Sequence, residues 1–408
     1  MTTHTSSHAI RPVAPFEHAP ILALIVGFLM LQPLSTDLYL ASLPSLATVF
    51  GVPASTVQLT LSSFVIGFGV SQLAIGPLSD RYGRRPILLC GLVLYVVASV
   101  LCATAPGIWV LVGARFLQAL GCCAAAVVAR AIVRDAYAPA DGGRLFARAS
   151  TWMSFAPVLG PILGSYLQVT FGWRAAFVAH TILSSCLLVT VLLRLPETNM
   201  HRNPRATELG GLIANYRMLL GSREFWSYAL PGALSYGALF AFISGSSLVL
   251  IRVLHVPTEW FGYCFAFGVT GYMTGTIICR RLLPTLGLAT ALRIGSAGSL
   301  AAGALFLGAV AMGLAHWSLV LVAMFLTTCA HGINFPISQA GSVTPFPKQA
   351  GTAAGLVGAL CMAVAFVVGT VVAASFDGTL YPLALIVCAL TAAIFTSVRL
   401  LVRPEAAP

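Results

Sequence analysis

One carboxylate in this sequence stands well inside an apolar stretch: Asp37, within the run from residue 19 to 41. An ionised side chain in hydrocarbon costs roughly 2.5–3.5 kcal/mol on insertion scales, so such a residue is seldom retained for packing. Arg115 is a second buried charge, near the start of the apolar run 108–134. If that run enters the membrane at about Ile108, Arg115 lies roughly 10 Å below the surface at 1.5 Å per residue. Asp37, four residues from the end of its own run, reaches a similar depth on the same side, so the two can meet. Burial favours the neutral carboxyl and a neighbouring cation favours the charged one; a carboxylate held between them can bind and release a proton in response to small movements. A second reading keeps Asp37 as a helix-end cap at the headgroup level, with the first helix ending near Ala41.

Two further constellations have spacing that could do work. Gly76-Pro77-Leu78-Ser79-Asp80-Arg81-Tyr82-Gly83-Arg84-Arg85-Pro86 combines turn-forming glycines with an acid and three arginines, able to form ion pairs that rearrange between two conformations. Taken alone it also fits simple topology signalling. Gly160-Pro161-Ile162-Leu163-Gly164 puts two small residues one helical turn apart beside a proline, which suits close helix contact with a bend, or generic helix packing. His331, Asn334 and Ser338 fall at i, i+3 and i+7, and Tyr236, Phe240 and Ser244 form another stripe. With Tyr39, Gln118 and Cys122 they are candidates for a loosely selective, mostly apolar pocket, although polar and aromatic stripes also serve packing. His180 reads as structural.

The elements that must position these residues are membrane helices. Of 408 residues, 58% are apolar and 8% charged, against roughly 25% charged in an ordinary soluble domain. Apolar runs of about 20 residues, enough to cross about 30 Å of hydrocarbon, recur near 19–41, 54–78, 86–105, 108–134, 143–169, 173–195, 225–250, 257–280, 288–313, 315–338, 350–374 and 378–401. The fold class is therefore all-α and integral to the membrane, with twelve transmembrane helices in two six-helix halves, 19–195 and 225–401. Between them lies the polar segment 196–224, and at the ends the tails 1–18 and 402–408. The first helix is too long for a signal-peptide core and is expected to be retained. Eighteen of the 22 Lys and Arg residues fall in the tails and one set of alternating loops, and only Arg174 and Arg252 in the other set. This bias puts both tails and the central segment in the cytoplasm. It also explains the net charge of +11 without nucleic acid. Internal similarity between the halves is weak, its best trace being the Gly271–Gly287 run with Arg280 and Arg281.

Several function classes fall away. Cys90, Cys102, Cys122, Cys123 and Cys361 lie inside apolar spans without metal-ligand spacing. No GxxxxGK[ST] phosphate loop and no HExxH motif is present, so no cofactor, metal or direct ATP drive is expected.

The 76–86 string resembles the loop 2–3 signature of the major facilitator superfamily. Arg115-Phe116-Leu117-Gln118-Ala119-Leu120-Gly121 is similar to that superfamily's helix-four motif, and Gly160–Gly164 to its antiporter motif. Leu34–Pro44, Gln58–Ser62, Gly172-Trp173-Arg174 and Leu195-Pro196-Glu197-Thr198 resemble the bicyclomycin/chloramphenicol-resistance branch of drug:proton antiporters, over nearly all the first half and more thinly in the second. The resemblance implies a monomeric bacterial inner-membrane exporter of small amphipathic drugs, driven by proton influx through alternating access, with Asp37 and Arg115 coupling the proton. It also implies a cytoplasmic gate of Gly76, Asp80, Arg81, Gly83, Arg84, Arg85 and Asp135, in which Arg84 bridges Asp80 and Asp135. When that side closes, Asp80 is expected at the helix start Gln349–Thr352, whose unpaired N–H groups attract an acid. No second acid precedes Asp37 in the first helix, which speaks against efficient export of dications. A proton-linked carrier of an amino acid or sugar is the nearest alternative; a membrane-embedded enzyme or a receptor is remote.

Overall fold

The computed structural model describes residues 18–200 and 202–402; the tail segments 1–17 and 403–408 lie outside the described residues. The chain forms α1 (His18–Asp37), α2 (Leu43–Phe50), α3 (Ala54–Tyr82), α4 (Arg84–Ala103), α5 (Ile108–Ala136), α6 (Pro139–Met153), α7 (Ala156–Phe171) and α8 (Arg174–Arg194). There follow α9 (Leu209–Leu220), α10 (Arg223–Ser247), α11 (Thr258–Ala311), α12 (Trp317–Val343), α13 (Ala350–Ser375) and α14 (Tyr381–Leu401).

Ten helical stretches among the described residues are long and apolar enough to cross a membrane. The 54 residues of α11 would measure about 80 Å as one helix, far more than a bilayer's hydrocarbon. Gly287, at φ 70° and ψ 174°, breaks it into two passes. α6 and α7, each too short alone, join through Ser154 and Phe155 into one more pass. Twelve passes result, and all regular structure among the described residues is helical.

Three boundaries differ from the sequence expectation. The first pass does not end near Ala41: it runs Ile21–Phe50, because α1, a 3-10 turn at Leu40–Ser42 and α2 follow one another. The string 76–86 is not a loop. α3 stays helical through Tyr82, and only Gly83, at φ 105°, separates it from α4. The central polar segment carries α9, which packs onto α10 and α13 through Leu219.

Glycines set how closely the helices approach. A Cβ on Gly275 would lie 1.9 Å from the carbonyl oxygen of Cys329, and one on Gly332 would lie 2.4 Å from that of Tyr272. α11 and α12 therefore touch backbone to backbone, a contact in which small residues replace the hydrophobic drive that lipid cannot provide. This packing accounts for Gly271 and Gly275 of the 271–287 run.

The halves meet along two seams. α3 lies against α13, where Cβ atoms on Gly69 and Gly358 would strike Met362 and Gln72. α7 lies against α11, where one on Gly262 would sit 2.5 Å from Ile162 Cα and the Pro161 carbonyl oxygen. One end of the bundle carries Arg81, Arg84, Arg85 and Arg134. At the opposite end the halves are latched: Arg252 donates to the Pro44 carbonyl, and the Gln58 amide donates to the Ser244 carbonyl and hydroxyl. α5 and α6 pack substantially only on first-half helices.

Gly275→Leu is expected to prevent α11 from seating on α12 and to remove most folded protein, while Gly308→Leu, with nothing within 4 Å of its Cβ position, is tolerated. Monodispersity and thermal unfolding of the detergent-purified variants check this.

Candidate functional site

The centre of the site is the break in α1. Pro33 has no N–H to continue the helical ladder. The hydroxyls of Ser35 and Thr36 bond back to the carbonyls of Leu31 and Pro33, at 2.5 and 2.9 Å, a habit that bends helices. The helix stops at Asp37 and leaves the carbonyls of its last turn, its negative pole, inside the protein.

Arg115 answers that pole. Its guanidinium, with no exposed surface, donates to the Ser35 carbonyl at 2.9 Å, to Gln118 Oε1 at 2.5 Å and to the Thr60 carbonyl at 3.4 Å. It also lies over the rings of Phe64 at 4.3 Å, Tyr39 at 4.7 Å and Phe177 at 5.8 Å, contacts worth about 2 kcal/mol when desolvated. Gln118 passes the network to Ser99, and the hydroxyls of Ser35 and Tyr95 meet at 2.6 Å. The cation is thus held by dipoles and aromatic faces.

Asp37 and Arg115 do not form an ion pair in this conformation. Arg115 reaches Ser35, two residues short of Asp37, because the helix end presents its carbonyls first. Asp37 is 4% exposed and accepts from the Thr36 hydroxyl at 2.8 Å. From the second half, Tyr236 of α10 comes into the neighbourhood of Gln32 and Asp37. Asp37 therefore sits in the middle of a pass, deeper than the sequence expectation, and faces the second half.

α7 presses on the same break. A Cβ on Gly160 would be 3.2 Å from Asp37 Cβ, and one on Gly164 would be 2.0 Å from the Leu38 carbonyl oxygen. Since Pro161 and Ile162 meet Gly262 of the second half, this short segment touches the α1 break on one face and the opposing half on the other.

At the Arg-rich end, Arg84 bridges Asp80 at 2.6 Å and Asp135 at 2.7 Å and donates to Ser79. Arg134 stands farther off, 3.5 Å from Asp135 and 3.9 Å from Asp80. Arg81 reaches Thr207 and Arg85 the Leu192 carbonyl. Asp80 keeps 44% of its side chain exposed and is engaged within its own half; it is not at the start of α13. Gly76 has open space around it, so neither a turn nor a close approach demands a glycine there.

Glu197 is the residue that sequence reasoning left out of the site. Its carboxylate accepts from the backbone N–H groups of Arg84, Arg85, Thr198 and Asn199, and so caps the positive end of α4. A Cβ on Gly83 would lie 2.4 Å from it, which gives that glycine a second reason besides its positive φ. No local pattern could reveal a partner 113 positions away.

The remaining candidates scatter. Tyr39, Gln118 and Cys122 are fully buried around Arg115 and not in an open pocket. Phe240 and Ser244 are packed into the α3–α13 side of the closed end, and only Tyr236 of that stripe is partly exposed. His331 bonds Ser235 at 2.9 Å among the rings of Tyr236, Tyr272 and Phe335. Asn334 donates to Ser299, and Ser338 lies against Gly232, so both serve contacts within the second half in this state. His180 holds the Leu34 carbonyl at 3.2 Å. Among the described residues no group of His, Cys, Asp and Glu is arranged to hold a metal.

Glu197→Ala is expected to lower stability by about 1–2 kcal/mol through loss of the cap, and Glu197→Gln by less, because an acceptor oxygen remains. Thermal unfolding at fixed detergent and pH distinguishes the two.

The model of the Major Facilitator Superfamily matches residues 25–370. The chain is 28% identical to the bicyclomycin resistance protein homolog of Haemophilus influenzae, over 89% of this chain and 91% of that one. It is 32% identical to the chloramphenicol resistance protein of Pseudomonas aeruginosa, over 82% and 79%. Among solved structures, the partially occluded inward-open xylose transporter XylE from E. coli is similar with a TM-score of 0.69 at 17% identity, over 92% of this chain and 96% of that one. With its family matched across most of its length on a twelve-pass helical fold, this chain belongs to the major facilitator superfamily of membrane transporters.

Proposed function

We propose that this transporter exports small amphipathic compounds of the chloramphenicol or bicyclomycin kind in exchange for protons, as a monomer in a bacterial inner membrane with both termini cytoplasmic. The observation that carries the reading is the placement of Asp37. It is the only acid in the middle of a pass among the described residues, the others lying within three residues of a pass end, it sits at a helix break as ion-coupling groups of transporters do, and it lies near Tyr236 of the other half. Relatives named as a bicyclomycin resistance protein homolog and a chloramphenicol resistance protein support the substrate class.

In this reading the Arg-rich end is cytoplasmic and drug enters between the halves from that side. Protonation of Asp37 removes a charge from the α1 break and changes how α1 seats against Gly160 and Gly164. α7 carries that change to α11 through Pro161, Ile162 and Gly262. Arg115 holds the broken helix end throughout. Asp80, released from its first-half partners, docks at the start of α13 when the cytoplasmic side closes, and Arg84, Asp135, Arg81, Arg85 and the Gly83 turn form the rest of that gate.

The test is a susceptibility panel in an efflux-deficient bacterial host with the intact gene and Asp37→Asn. Intact protein should raise the inhibitory concentration of chloramphenicol or bicyclomycin several-fold, and Asp37→Asn should abolish the gain while purified protein still binds drug and exchanges it downhill. Proton-driven uphill export by the Asn variant in vesicles would remove Asp37 from the coupling role. Gly164→Ala, whose methyl would overlap the Leu38 carbonyl, is expected to lose most export while reaching the membrane; Gly160→Ala, with 3.2 Å of clearance, should keep a larger share. Equal activity of both with wild type would show that α7 does not transmit the change.

A further inference from the structure

The buried hydroxyls of α3 bond back to a carbonyl of the preceding turn, with one exception. Thr60 reaches the Val57 carbonyl at 2.7 Å, Ser71 that of Gly67 at 2.8 Å and Ser79 that of Gly76 at 2.9 Å, which satisfies groups that an apolar surrounding does not. Ser62 does otherwise. Its residue is 1% exposed, and its hydroxyl has no hydrogen-bond partner among the described residues. The oxygen is turned to α13, 3.2 Å from where a Cβ on Gly369 would stand. Beside it lies a cavity of about 180 Å³ lined by Ser55, Gln58 and Ser62 of α3 and by Thr370, Ala373 and Ala374 of α13. Ser55 belongs to the first turn of α3 and Ala374 to the last turn of α13, so the cavity is at the end of the bundle opposite the arginines. Its rim, Ser55, Thr370 and Ala374, is exposed, and its floor, Gln58, Ser62 and Ala373, is buried. Gln58 is also the latch between the halves, since its amide holds the Ser244 carbonyl and hydroxyl of α10. The floor of the cavity thus adjoins a contact that must break when this end opens.

A buried hydroxyl that makes no hydrogen bond costs free energy. At the floor of a cavity with an exposed rim, that cost is offset when a polar group enters. Among the described residues no charged side chain lines the cavity, so the matching group is neutral. A volume of about 180 Å³ admits a hydroxymethyl or carboxamide end and not a whole drug, whose pocket measures roughly 300–1,000 Å³. We propose that this α3–α13 cavity is an extracytoplasmic subsite for the neutral, hydroxyl- or amide-bearing end of a transported compound, with the Ser62 hydroxyl as its hydrogen-bond partner. The inference rests on the export reading and adds to it the kind of group that the protein selects. A serine hydroxyl both donates and accepts, so it suits either group, and the apolar wall from Ala373 and Ala374 strengthens the bond by keeping water out. Its place beside Gln58 puts the subsite on the path of a compound that leaves as the latch parts. The glycerol hydroxyls of a lipid headgroup share this chemistry, and the lipid arm of the test separates them.

The experiment uses two compounds of the chloramphenicol kind, thiamphenicol and florfenicol, which differ at one carbon: the first carries a hydroxyl there and the second a fluorine. Equilibrium binding is measured on full-length protein in phosphatidylcholine nanodiscs. Wild type should bind thiamphenicol about fivefold more tightly, the scale of one neutral hydrogen bond. Ser62→Ala should bring the two affinities to parity, and so should Ala373→Leu, which fills the cavity and leaves the Ser62 hydroxyl in place. Monodispersity and thermal unfolding report whether the variants are folded. Equal affinities in wild type, or a preference that survives in either variant, overturn the subsite. Loss of the preference when phosphatidylglycerol is added to the nanodiscs overturns it too, as the occupant is then a lipid headgroup. Should one variant fail to fold, the wild-type ratio and the other variant decide. Susceptibility of the efflux-deficient host to both compounds is read in parallel. Resistance without hydroxyl preference in binding removes the subsite and leaves export standing, whereas preference without resistance to either compound supports the subsite and removes the export reading.

Discussion

A helix that ends in the middle of a membrane must place its last carbonyls somewhere, because lipid offers them no hydrogen bonds. The break of α1 at Asp37 creates that demand, and much of the first half is arranged to meet it. Arg115 takes the Ser35 carbonyl, and the Leu34 carbonyl is met by the Leu38 N–H and by His180. The cost of an uncompensated Arg in the interior is offset by the same arrangement, since the helix end supplies negative potential without a titratable partner. That leaves the one carboxylate at the break free of a permanent counter-ion.

The second organising feature is that the helix contacts most sensitive to size are made by backbone. Gly164 against Leu38, Gly262 against Ile162 and Gly275 against Cys329 are contacts in which a single methyl forces the helices apart. Such contacts are discontinuous in energy: helices either fit or separate. Seams between halves that must rock against each other benefit from that property, since two packings of the same surfaces can both be tight. At the Arg-rich end the equivalent role falls to charges. There Glu197 pins the start of α4, the Asn203 amide donates to the Asp80 carbonyl, and the linker between the halves is thereby tied to the Asp80–Arg84–Asp135 cluster.

The sequence by itself determined the solvent and the fold. Scarce charge and repeated apolar runs leave no soluble alternative, and the helix count follows from their lengths. It also singled out Asp37, Arg115 and Gly160–Gly164, because a charge in hydrocarbon and paired small residues stand out against an apolar background whatever surrounds them. Tertiary structure decided who meets whom. That Arg115 takes a carbonyl and leaves Asp37 unpaired depends on where α1 stops, which the apolar run conceals since it passes Asp37 without a break and ends only near Ala41. That Glu197 caps α4 depends on a contact across 113 positions, with no period to announce it. That Asn334 faces another helix depends on how twelve passes are rotated about their own axes. In lipid that rotation is set by close packing between neighbours and not by a solvent-facing stripe, so the residue pattern of a single helix cannot reveal it.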